Sequence, residues 1–318
     1  MKKPLLWLVA TSYSALLLLV SCKTESTLAP KLTEQTASEE AHLVKKGETT
    51  EGTTKALAVP AGFVAIESAP GVTLYKKNYN PRGAPDYVQE INLAAGAKVR
   101  FYMGSWTVAN GTAPSPLSTL KRLSDYWEEH KQYFKIFSVT NGTFFGGVTG
   151  QKAQSSYPVK SDGILYTAGY ANNDAFPKRI LKIYDNYATI RDYNSCPPNE
   201  PSWKCNSYEP VRDAMADAPT AIVGQHPLLA DQGKDALKPR TFMGTKDGNG
   251  DGKPEILYIY TSLKATQADA RQVVLNFGAS WTMMLDGGGS TQMICKGIKH
   301  VPSTDNRAVL SFIDVFSN

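Results

Sequence analysis

A strand that ends on an acid followed by three glycines can place chemistry at the edge of a sheet, and Leu285-Asp286-Gly287-Gly288-Gly289-Ser290-Thr291 has that order. The Asp286 carboxylate would stand where bare glycine backbone lets a ligand approach closely. The N–H groups of Gly287, Gly288 and Gly289 can form a concavity for an anion, and Ser290 and Thr291 add hydroxyls. A tight hairpin loop that needs positive φ is the other reading of the same residues. Asn141-Gly142-Thr143-Phe144-Phe145 makes a second break after a strand, with a side-chain amide and two rings suited to a sugar. An Asx turn followed by two core phenylalanines explains it as well. In Lys238-Pro239-Arg240-Thr241 a guanidinium stands at the start of a strand, where its planar fork can hold phosphate or carboxylate. Simple solvation is the alternative.

Asp247, Asn249 and Asp251 recur at alternate positions before Gly252, with Glu255 beyond, which spaces oxygen ligands as calcium loops do. Calcium is the one cofactor the sequence raises, and the hydrolytic chemistry considered below requires none. A turn rich in Asp and Gly accounts for the loop equally well. His226 offers a local proton donor or ligand contact, or a hydrogen-bonded structural role. Cys196 and Cys205 bracket a Pro-rich loop at neither a zinc nor a redox spacing, so a disulfide is expected, with two free thiols as the alternative. Cys295 reads as a small buried hydrophobe.

The elements that would position these groups alternate as strands do. Gly71 to Tyr75 and Tyr87 to Leu93 flank a turn-rich segment, and Val99 to Met103 follows. Leu117, Leu120, Leu123 and Trp127 have helical spacing and predict an amphipathic helix packed on the sheet. It leads into a strand from Phe134 to Val139. Ile180 to Ile190 and Ala221 to Val223 are further strands, and the Asp247 loop joins two more, around Thr241 to Gly244 and Ile256 to Tyr260. Thr266-Gln267-Ala268-Asp269 has the form of a capping box, and Gly278 ends the helix it opens. Trp281 to Leu285 and Ala308 to Val315 complete the set. The expected fold is α+β, a mixed and largely antiparallel sheet with packed helices in a single domain.

In this order and near these separations, the segments resemble the phosphodiester glycosidase family. The resemblance runs from about Gly71 to the C-terminus. It rests on Asn141 to Phe145, Ala221-Ile222-Val223-Gly224-Gln225-His226-Pro227-Leu228, Arg240-Thr241, Leu285 to Thr291, and Arg307 before the last strand. It implies cleavage of the glycosidic bond of a sugar-1-phosphodiester, releasing free sugar and a phosphomonoester. Asp286 would be the catalytic carboxylate, Arg240 and Arg307 the phosphate contacts, and Asn141 and Ser290 the groups that position sugar hydroxyls. Gly142, Thr241, Gly287, Gly288, Gly289, Thr291 and His226 would complete the substrate site. Asp162 and Asp305 are the candidates for a second carboxylate. The chain departs from the family where a Gly-Gly-Pro type element is common and Gly224-Gln225-His226-Pro227 stands instead, and again after Arg307, where Ala308 to Ser311 lack the usual proline.

The N-terminus gives this chemistry an address. Lys2 and Lys3 precede an apolar run from Leu5 to Val20, too short to read as a stable membrane span, and Leu19-Val20-Ser21-Cys22 has the order of a lipobox. Residues 1–21 are read as a lipoprotein signal peptide, Cys22 as the lipidated N-terminus of the mature chain, and 22–58 as a flexible tether without aromatics. Residues 59–318 form the glycosidase-like domain. The expected location is the bacterial cell envelope, outside the cytoplasm, with a glycan or sugar-phosphodiester substrate as partner and the membrane reached through lipid. The net charge of +5 is dispersed among acids, which excludes a nucleic-acid footprint. The alternative to an enzyme is a non-catalytic glycan-binding lipoprotein that keeps the pocket.

Overall fold

The computed structural model describes residues 59–78, 81–104, 116–132, 135–196 and 205–318. Every described residue falls in one compact unit. The lipobox with Cys22, the tether and the interior of the Cys196–Cys205 loop lie outside the described residues.

In chain order the first strands are β1 (Phe63–Ala69), β2 (Val72–Lys77), β3 (Asp86–Asn92), β4 (Lys98–Met103) and β5 (Ser118–Thr119). After helix α1 (Leu123–His130) come β6 (Ile136–Asn141), β7 (Phe145–Thr149), β8 (Lys152–Ser155), β9 (Val159–Ser161), β10 (Ile164–Thr167), β11 (Lys178–Ile183) and β12 (Ala188–Tyr193). Helix α2 (Tyr208–Ala214) precedes β13 (Thr220–Gln225), β14 (Lys238–Lys246) and β15 (Ile256–Ala265). Helix α3 (Gln267–Asn276) leads to β16 (Trp281–Met284), β17 (Met293–Cys295), β18 (Ile298–Val301) and β19 (Ser311–Phe316).

An 11-stranded sheet runs β1-β2-β3-β15-β14-β16-β13-β11-β12, with β9 joining β13 to β10. A 5-stranded sheet runs β18-β17-β6-β19-β4, and β5-β8-β7 make a small third one. The two larger sheets bury their apolar faces against each other. Leu74, Ile91, Met243, Ile259 and Leu285 of the large sheet meet Phe101, Ile313 and Val315 of the second in one core cluster. Helix α3 covers the other face of the large sheet, with Ala270 and Val274 against Phe242, Tyr258 and Tyr260. Its predicted capping box is formed: the Thr266 hydroxyl accepts from Asp269 N and the Asp269 carboxylate from Thr266 N.

The expected α+β class is overturned. Every ladder among the described residues is antiparallel, and the α-helices there are short, of 8, 7 and 10 residues. The fold is predominantly β. Part of the overestimate lies in the run from Leu117 to Trp127. The helix begins only at Leu123, because the backbone before it is claimed by strands: Leu120 N donates to Gln151 O, and Lys121 exchanges both its hydrogen bonds with Val309. Apolar spacing of three and four survived from Leu123 onward, where Leu123, Tyr126 and Trp127 are buried.

This architecture decides where the functional segments meet. Asn141 ends β6 in the second sheet, and Asp286 follows β16 in the large one. The Asp286 N–H donates to Gly142 O at 3.2 Å, so the two breaks adjoin across the sandwich.

Candidate active site

Asp286 is half-buried, and the protein packed around its carboxyl group is dense enough that desolvation dominates its titration. Burial pushes the carboxyl up to about 6, against the Ser290 hydroxyl, the Arg307 charge and the Gly287 N–H, which all favour the ionised form. A carboxylate poised near neutrality by opposed effects is what proton-transfer chemistry uses. Ser290 Oγ is buried beside it, close enough to favour the ionised carboxylate yet short of full hydrogen-bond geometry among the described residues.

The glycine run supplies the backbone that the sequence suggested. Gly288 lies at φ +60°, a conformation that favours glycine, and opens a 3₁₀ turn over Gly288–Ser290. The turn uses Ser290 N and Thr291 N, which donate to Gly287 O and Gly288 O, and leaves the N–H groups of Gly288 and Gly289 without an intramolecular acceptor among the described residues. A Cβ at Gly289 would lie 2.7 Å from an Asp305 carboxylate oxygen. Asp305 therefore stands over the glycine loop, held by the Ser303 hydroxyl at 3.0 Å. The other candidate for a second carboxylate, Asp162, is engaged with Arg100 at 3.1 Å in the β9–β10 turn and belongs to no part of this site.

Asn141 is 1% exposed and its amide is spent inside the protein. Nδ2 donates to Asp286 O at 2.8 Å, and Oδ1 accepts from Thr241 Oγ1 at 2.9 Å and from Gln292 N at 3.2 Å. Thr241 and Thr291 are fully buried, 3.4 Å apart through their hydroxyls. The expected sugar contacts Asn141, Thr241 and Thr291 are thus a buried scaffold that fixes the Asp286 loop. Gly142 belongs to it: its N–H donates to Ser311 O, and a Cβ there would meet Ser311 Oγ at 2.5 Å.

The two arginines expected on the phosphate part ways. Leu285 N donates to Thr241 O, so Arg240 and Asp286 leave adjoining strands side by side. The Arg240 guanidinium, however, is buried and donates to the carbonyls of Gln232, Gly233, Ala236 and Ala265. Burial lowers its pKa, and its charge clamps the 232–236 loop instead of facing Asp286. The cation that acts on Asp286 is Arg307, which is exposed, stacks on Phe145 at 5.4 Å and has no carboxylate at ion-pair distance among the described residues. Its segment is tied to the scaffold by Gln292 Nε2, which donates to Arg307 O at 2.9 Å.

His226 is a structural histidine. Nδ1 accepts from Leu228 N and Leu229 N, Nε2 lies 3.0 Å from the Arg179 guanidinium, and burial with that charge lowers the ring to about 4. In the Asp247 loop the carboxylates of Asp247 and Asp251 and the Asn249 carbonyl accept backbone N–H groups of the loop itself. Among the described residues no group of three or more His, Cys, Asp or Glu side chains is arranged to hold a metal ion. Cys196 and Cys205 are joined in a disulfide, and Cys295 is free and buried. A cavity of about 300 Å³, lined among others by Lys182, Tyr184, Arg191 and Asp217, contains none of the residues that surround Asp286. Two buried glutamines were not among the expected site residues: Gln292, which follows Thr291, and Gln225, which lies inside the Ala221–Leu228 segment.

The chain is similar to the catalytic domain of zebrafish N-acetylglucosamine-1-phosphodiester alpha-N-acetylglucosaminidase auto-inhibited by its pro-peptide, with 12% identity and a TM-score of 0.52 over 80% of this chain and 88% of that one. A hypothetical protein from Synechocystis is 14% identical over 80% of this chain, with a TM-score of 0.49, and the chain spans 64% of its length. No curated protein sequence matches the chain. The family model described as NAGPA, phosphodiester glycosidase, matches residues 135–316, from the start of the segment carrying Asn141 to the end of β19 and across the whole Asp286 loop. The chain belongs to the phosphodiester glycosidase family.

Proposed function

We propose that the protein hydrolyses the glycosidic bond of a sugar-1-phosphodiester, releasing free sugar and a phosphomonoester, from a lipid-anchored position in the bacterial cell envelope. The observation that carries the reading is the gathering, on one loop, of a carboxyl raised to about 6, two glycine N–H groups unengaged among the described residues and the buried Ser290 hydroxyl, with the Arg307 charge beside them. A phosphomonoester leaves readily once its charge is held, and Arg307 with the Gly288 and Gly289 N–H groups supply that hold. Asp286 then serves as general base, taking a proton from the water that attacks the sugar carbon as the C–O bond to phosphate breaks. The Ser290 hydroxyl orients that water or a sugar hydroxyl. Asn141, Thr241, Thr291 and Gly142 hold the base in place without touching substrate.

The test is sugar release by the full chain from benzyl phosphodiesters of common sugars. Asp286→Asn keeps size and hydrogen bonding and loses proton transfer, so turnover falls by roughly 10²–10⁴ while calorimetric affinity persists. The wild-type rate rises with pH through about 6, the pKa of the buried carboxyl. Stability runs the other way. A carboxyl raised in the folded state stabilises the fold below about 3.8, its ordinary value, and that contribution is lost as pH rises through about 6. The rate limb and the stability loss both vanish in Asp286→Asn. Unchanged turnover in that variant ends the assignment.

A further inference from the structure

Gln225 closes β13 and is 2% exposed. Three neighbouring groups fix which way its amide points. The Asp174 carboxylate, paired with Lys178 Nζ at 2.7 Å, can only accept. Tyr157 Oη donates its one hydrogen to Asp174 Oδ2 at 2.7 Å, and its oxygen is left to accept from Gln225 Nε2, also at 2.7 Å. The amide oxygen Oε1 is therefore turned away from Tyr157. It is buried and has no hydrogen-bond partner among the described residues. A buried acceptor held in place by a charged relay and given nothing to accept from calls for a donor that the described residues do not provide.

The sheet sets that acceptor on the face of Asp286. Gln225 stands directly opposite Met284, and cross-strand neighbours point to the same side. Asp286 lies two residues beyond Met284 and on the side opposite Leu285, which is in the core between the sheets. Phe144 spans the same region, packed with both the Met284 cluster and the Tyr157 cluster. It meets the Tyr157 ring edge-on at 5.7 Å.

Resting on the glycosidase reading of the Asp286 loop, we propose that Gln225 is a specificity-determining residue whose Oε1 accepts a hydrogen bond from one donor on the sugar ring, a hydroxyl or an acetamido N–H. The sugar then lies across the face between Gln225 and Asp286, with its phosphate toward Arg307. Lys178, Asp174 and Tyr157 act on the substrate only through the amide they orient.

The experiment measures affinity and kcat/KM of the full chain for benzyl phosphodiesters of glucose, mannose, galactose and N-acetylglucosamine, each also with single ring hydroxyls replaced by hydrogen. In the wild type one such replacement, or glucose in place of N-acetylglucosamine, weakens affinity about tenfold. In Gln225→Met the same change has less than a twofold effect, because the acceptor it addressed is gone. Which comparison collapses tells a hydroxyl donor from the amide N–H. Tyr157→Phe keeps the ring and frees the amide to turn, so discrimination shrinks there too, which preserves the test should Gln225→Met not fold. Equal discrimination by wild type and both variants overturns the proposal, as does a loss of thermal stability with no change in discrimination, the signature of an acceptor for buried water only. Binding with no turnover of any probe sinks the hydrolase reading and leaves the Gln225 comparison intact. Absence of binding by every probe overturns both.

Discussion

At the scale of single residues, the surroundings of the Asp286 carboxyl were legible because its neighbours in sequence supply them: Gly287 and Ser290 of the glycine loop act directly on the carboxyl. The partner cation was not. Arg240 and Arg307 both offer a planar fork, and only the fold shows that one fork is consumed by the carbonyls of Gln232, Gly233, Ala236 and Ala265 while the other remains exposed on Phe145. Replacements at the two positions therefore separate cleanly. Arg307→Ala removes a charge-assisted contact and weakens phosphodiester binding by roughly 10- to 100-fold with the melting temperature nearly unchanged. Arg240→Lys cannot span the carbonyls it serves, so it lowers stability by about 1–3 kcal/mol while leaving affinity per folded molecule near that of the wild type. Calorimetric titration and thermal unfolding of both variants decide the matter; the reverse pattern would return the phosphate to Arg240.

At the scale of elements, alternation and turn chemistry announced most strands and the capped helix α3, since period and capping are local properties. The helix expected from Leu117 failed for a non-local reason: Gln151 and Val309 lie far along the chain and compete for the backbone of Leu120 and Lys121. Asn141 shows the same limit. Its type suggested a sugar contact, yet its position at the end of β6, facing Thr241 and the Asp286 peptide, turns it into a tie between two sheets. Gly142 is the closest point of that junction. Gly142→Ala drives a methyl into Ser311, whose Oγ stands 2.5 Å from the new Cβ, so it destabilises by about 1–3 kcal/mol and lowers turnover by displacing Asp286. Ser311→Gly in the same chain opens the space and recovers part of both. A double variant no better than Gly142→Ala would show that the junction does not hold the base.

At the scale of the molecule, the envelope address rests on the lipobox alone, and among the described residues no helix is long and apolar enough to cross a membrane. Cys22→Ala yields a chain without diacylglycerol that leaves the membrane fraction, and mass spectrometry of the mature N-terminus reads the outcome; a wild-type Cys22 without lipid refutes the anchored location. The sheet order holds a further consequence for a chain that is made from one end. β19 lies between β6 and β4, and its Ser311 carbonyl receives the Gly142 N–H, whose own carbonyl receives Asp286. A chain made only as far as β18 already holds the glycine loop, but not the strand that braces it. The junction between Gly142 and Asp286 is therefore braced only once β19 has been added, and a polypeptide stalled short of β19 carries the Asp286 loop without its support.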